Sequence, residues 1–134
     1  MKDSCRIFPI GIEVPGPPVD LHLVDQVFLP NPLVLIAAAS HPLVRRRQLA
    51  LDDLADQRFI LREPGSGARL AADAHFRRHK FCPDLRLELR SNEAIKEAVA
   101  GKLGVAVLSR HALPADPIAS GVALLPVRGF PIES

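Results

Sequence analysis

The uneven placement of proline constrains this chain more than any other feature. Pro9, Pro15, Pro17, Pro18, Pro30 and Pro32 crowd its beginning, whereas only Pro64 and Pro83 fall between Pro42 and Pro114. An interior proline removes a helical N–H and clashes with the preceding turn, at a cost of about 3 kcal/mol. The leader therefore holds no long helix. One moderately alternating segment there, Val19 to Phe28, reads as a strand between proline blocks. The long middle stretch is free to build regular elements.

Composition narrows the class. With 134 residues the chain suits one domain, whose core needs no metal or disulfide staple. Hydrophobic residues are 48% of the chain, which excludes a disordered composition. The net charge of +2 is too small to name nucleic acid or an anionic membrane as partner. Aromatics are 4%, with no Trp or Tyr, so a base-stacking surface has little to work with. Cys5 and Cys82 lack metal-ligand spacing and read as two reduced thiols, which points to a cytoplasmic protein. The longest apolar run, Leu33 to Ala39, is too short to span a bilayer, and the N-terminus has no secretory signal pattern.

Leu33 to Ala37 reads as a strand buried on both faces. Arg45, Arg46 and Arg47 follow in a polar loop, and Leu51 to Ala55 as a turn or two of helix. Arg58 to Leu61 is a second strand, ended by Glu63-Pro64-Gly65-Ser66-Gly67. A helix runs from about Gly67 to Lys80, with Leu70, Ala74 and Phe81 assigned to its inner face. Leu85, Leu87 and Leu89 alternate with charged residues as a half-buried strand does. Ser91 or Asn92 caps a second helix, whose apolar stripe is Ala94, Ile95, Ala98 and Val99 and which Gly101 ends. Val105 to Leu108 is another buried strand, Arg110 to Pro114 a turn, and Val122 to Val127 the last strand. This alternation predicts an α/β fold, with helices flanking a mixed sheet of about five strands.

Gly65-Ser66-Gly67 is the most informative local feature. Two glycines let a ligand approach the backbone, and the following helix offers free N–H groups at its positive dipole end. Ser66 and Arg69 add a hydroxyl and a cation, which together suit a carboxylate or phosphate. The same residues also fit a plain helix cap and turn. No catalytic constellation stands out. His75 and His79 share a helical face but sit beside Arg77, Arg78 and Lys80, a poor cation site. Ser109 and His111 lack a positioned acid.

Three segments in order carry a family resemblance: Asn31 to Ala37 with His41-Pro42-Leu43, Phe59 to Arg69, and Leu89 to Ser109. They resemble the distal half of the effector domain of LysR-type transcriptional regulators, nearest to the branch that controls carbon-fixation operons. Val14 to Leu21 is similar to the strand and linker that close the proximal half. The resemblance implies one subdomain of a type 2 periplasmic-binding-protein-like fold. It also implies a small anionic metabolite as effector, bound by Pro64, Gly65, Ser66, Gly67 and Arg69, and no cofactor, metal or catalysis. Gly104 is expected to pack where a strand starts near the cleft.

The family's winged helix-turn-helix and most of its proximal subdomain have no counterpart here. The expected division is a proline-rich leader with a hinge-strand remnant at 1–30, a distal regulatory subdomain at 31–129 and a truncated cross-over tail at 130–134. The expectation is a ligand-sensing module without direct DNA binding or membrane association, assembled as a homo-oligomer through its cut surface. A solute-binding component of an uptake system and a small α/β hydrolase are the alternatives.

Overall fold

The computed structural model describes residues 31–133; the expected strand at Val19–Phe28 and the 1–30 leader lie outside them. Six strands form one mixed sheet: β1 (Pro32–Ala38), β2 (Arg58–Arg62), β3 (Asp84–Leu89), β4 (Val105–Ser109), β5 (Val122–Leu125) and the short β6 (Ile132–Glu133). Their order is β3-β2-β4-β1-β5, with β6 also on β1. β2 runs parallel to β3 and β4, while β1 runs antiparallel to β4, β5 and β6. Helix α1 (Gly67–Arg78) joins β2 to β3, and α2 (Asn92–Ala100) joins β3 to β4.

The continuous apolar runs of β1, β2 and β4 follow from burial on both sheet faces. Leu33, Leu35, Phe59, Leu61, Val105 and Val107 meet Ala72 and Phe76 of α1 on one face. Val34, Ile36, Ile60, Ala106 and Leu108 meet Ile95 and Val99 of α2 on the other. Phe59 and Phe76 pack edge to face at 5.8 Å, a geometry favoured by the ring quadrupoles.

Three expectations change. The inner face of α1 carries Arg69, Ala72, His75 and Phe76, whereas Leu70 is 60% exposed. Gly101 ends α2 as its C-cap, as expected; both helices close in six-to-one and five-to-two hydrogen bonds with a lysine as the left-handed residue. These bonds are Phe81 N–H to Phe76 O and Lys80 N–H to Arg77 O in α1, and Leu103 N–H to Ala98 O and Lys102 N–H to Val99 O in α2. The last strand stops at Leu125, after which Val127 bridges to Leu49. Cys82 is disulfide-bonded rather than reduced, since cysteine spacing alone carries no pairing signal.

Gly104 does govern packing. A Cβ there would stand 2.6 Å from the carbonyl oxygen of Arg58, so only glycine lets β4 begin this close to β2. The contact lies at the amino ends of the parallel strands, away from the edge described next.

Candidate functional site

In open α/β sheets ligands meet the carboxyl ends of the parallel strands. Here that edge gathers Arg62, Ser91, Asn92 and Ser109, and the antiparallel β1 adds Asn31. α1 and α2 lie on opposite faces of the sheet, and both begin at this edge. Each is capped by a serine hydroxyl at 3.0 Å: Ser66 accepts from Arg69 N–H, and Ser91 from Ala94 N–H.

The Pro64–Gly67 loop stands at the surface, with Pro64, Gly65 and Gly67 exposed and Ser66 half-buried. Gly65 takes φ +100°, a backbone conformation that favours glycine. Among the described residues, and chain neighbours and the helix's own backbone aside, no atom lies within 4 Å of where a Cβ would stand on Gly65 or Gly67, so the space beside these glycines is open.

Arg69 stands differently from what its spacing implies. It is 4% exposed, and its Nε donates to both carboxylate oxygens of Asp73, at 3.0 and 3.2 Å. Its Nη1 donates to Glu88 and to the Arg62 carbonyl, both at 2.8 Å. The guanidinium thus braces the loop from beneath. Burial pushes the Asp73 carboxyl up, against the opposing pull of Arg69.

Sequence reasoning missed Arg62. Its guanidinium donates to both oxygens of Glu63, at 2.9 and 3.3 Å, and to Asn92 Oδ1 at 3.2 Å. The hydrogen bond from Arg62 holds the Glu63 carboxyl below its usual range. The signal was available only through topology, since Arg62 is the last residue of a parallel strand. Ser109 donates its hydroxyl to Asn31 Oδ1 at 2.6 Å and accepts from the His111 N–H. It therefore serves the strand end and the following turn rather than a nucleophilic pair.

The remaining candidates lie elsewhere. The His75 and His79 rings stand 4.4 Å apart at the far end of α1, and the described residues contain no group of three side chains that could hold a metal ion. Burial, then the nearby His79 and Arg78, push His75 below its ordinary value. A cavity of about 420 Å³ lies at the opposite sheet end, beside His41, Gln57, Arg58 and Lys102.

The mixed sheet with helices on both faces is an α/β fold of the type 2 periplasmic-binding-like class. Residues 14–134 match the family model described as LysR substrate binding domain, and the chain belongs to that family. It is 45% identical over 117 residues to a RuBisCO operon transcriptional regulator of Acidithiobacillus ferrooxidans, covering 87% of this chain and 38% of the relative. The chain thus spans well under half the length of such relatives. Those relatives are transcriptional regulators rather than transport components or hydrolases. The Synechocystis PCC6803 CcmR regulatory domain, solved in complex with 2-PG, is 47% identical with a TM-score of 0.73, over 79% of this chain and 51% of that one. The effector-binding domain of QuiR, solved with shikimate, shares the fold at 21% identity and a TM-score of 0.67, over 78% of this chain and 48% of that one. No described helix is long and apolar enough to cross a membrane.

Proposed function

We propose that this chain is the distal half of a regulator's effector domain. It senses a small anionic metabolite at the loop Pro64, Gly65, Ser66 and Gly67, with Arg69 fixing the loop from beneath. The observation that carries this reading is the open space over that loop at the mouth of a capped helix, in a chain 47% identical to a regulatory domain solved with 2-PG. The helix N-terminus and backbone N–H groups supply the positive field. In this reading residues 31–129 are the lobe, and 130–134 begin the return crossing beside the incoming strand. The pairing of Ile132–Glu133 with Pro32–Leu33 supports that division.

The reading includes a cytoplasmic location, which rests on the relatives' role in transcription and not on the cysteines, no direct DNA contact by this chain and assembly as a homo-oligomer. Exposed Leu124 on the outer strand β5 favours self-association. Light scattering that finds only monomer at high concentration would count against it.

Titration with 2-PG, small sugar phosphates, nicotinamide cofactors and short carboxylic acids tests the site. One of these is expected to bind, and Ser66→Ala and Gly67→Val to weaken it. Binding unchanged by both substitutions removes the loop from the site.

A further inference from the structure

Arg62 carries the next step. Its guanidinium bridges the loop after β2 to Asn92, the first residue of α2. A cation at the positive end of a helix is electrostatically misplaced, unless an anion is meant to join it. Glu93, in the first turn of α2, is paired with Lys96 at 2.8 Å. The carboxylate on Arg62 is that of its own neighbour Glu63, held by a two-pronged contact, and Arg90 adds to the positive field there. This pair is only partly sheltered, with side-chain exposures of 21% and 33%. It is therefore weakly held, and the carboxylate can return to water at little cost. The Glu63 backbone stays anchored by its N–H to the Leu89 carbonyl at 3.0 Å, so the side chain can leave without moving the strand end. The guanidinium fork fits a phosphate or an external carboxylate as well as it fits Glu63.

Resting on the anion-site reading above, we infer that Glu63 is a built-in competitor. Its carboxylate occupies Arg62 while the site is empty, and an anionic effector displaces it to take the guanidinium. Glu63 thereby sets an affinity threshold, and its release marks occupancy.

The test is calorimetric titration of the full chain with 2-PG and with inorganic phosphate at low ionic strength. Glu63→Gln is expected to tighten binding by about two- to fivefold, the worth of a partly exposed ion pair. Arg62→Gln is expected to weaken it by about tenfold or more, as loss of a charge-assisted contact does. The double variant should match Arg62→Gln, because without the guanidinium Glu63 has nothing to block. Carbon NMR of the wild-type Glu63 carboxyl supplies a second readout: its pKa should rise toward the ordinary glutamate value at saturation with 2-PG. Melting temperatures of the single variants show whether each fold is kept. Glu63→Gln binding that is unchanged or weaker overturns the competitor role while leaving the site intact. Absence of binding by the wild type and every variant overturns the anion site itself, and this inference with it.

Discussion

Replacing Arg69 by methionine separates a bracing residue from a ligand contact. Methionine fills much of the stem's volume but carries no donor. The change strands the Asp73 carboxylate, 15% exposed, and the Arg62 carbonyl, while Glu88 at 41% exposure turns to water. Breaking a fully buried pair from one side costs about 3–5 kcal/mol. The accessibility of Glu88 and the partial exposure of Asp73 reduce that to about 2–3 kcal/mol. For a domain of this size the melting temperature should fall by roughly 7–11 °C. The pH dependence has a definite sign. Burial already raises the Asp73 pKa, and Arg69 is what opposes the rise. Without Arg69 the folded-state pKa climbs further above the unfolded one. The folded chain then binds the proton more tightly, and stability is lost as pH rises through that window. The deficit of Arg69→Met relative to wild type should therefore shrink as pH falls from about 7 toward 5. Arg69→Met with Asp73→Leu should recover most of the loss, as apolar replacement of both partners does. Urea unfolding followed by circular dichroism reads this as a shift of midpoint at constant slope. A variant as stable as wild type that has lost effector binding would refute the bracing role, as would a deficit independent of pH.

The two informative glycines should respond in opposite ways to alanine. At Gly104 the new methyl meets the Arg58 backbone, and calorimetry should register a loss of about 1–3 kcal/mol or more. At Gly67, the first residue of α1 with open space above it, the same change should be neutral or stabilising by up to about 1 kcal/mol. His75 is buried with a lowered pKa, so its contribution to stability is full above the unfolded value of about 6.5 and is lost as pH falls through the folded one. The urea midpoint should drop between about pH 7.5 and 5.5, and His75→Leu should flatten that slope.

The strands were legible because each advertises its burial. β1 and β4 are unbroken apolar runs, and β3 alternates leucine with charge, matching its place at the edge of the sheet. The loop and its serine cap were legible for similar reasons, since Pro and Gly act through their own backbone and the Ser66 hydroxyl caps a residue only three positions on. The inner face of α1 was not. Its buried stripe contains Arg69 and His75, so counting apolar residues pulled the assignment toward exposed Leu70. Arg69 becomes acceptable inside only because Asp73, Glu88 and a carbonyl surround it, and two of these come from other elements. The end of α2 at Gly101 was legible, but not that lysines take the left-handed position in both helix ends. Arg62 was invisible because its importance lies in the order of strands, which brings the start of α2 to its guanidinium.

The two ends of the sheet divide the work. At the amino end of the parallel strands Gly104 seats β4 against the Arg58 backbone, and His41 holds Gln57 at 3.0 Å. Both helices also turn back there through their closing hydrogen bonds, so that end is held by packing. At the carboxyl end the sheet is finished instead by polar groups: two serine caps, the Arg62–Glu63 pair and the Ser109–Asn31 bond. The antiparallel β1 begins at this same end, and β6 lies beside it through the pairing of Glu133 with Pro32. The loop after β2, the mouths of both helices, the start of β1 and β6 therefore share one edge. On the proposed function, a change in the charge held there would act beside β1 and β6, with no need for a path through the core.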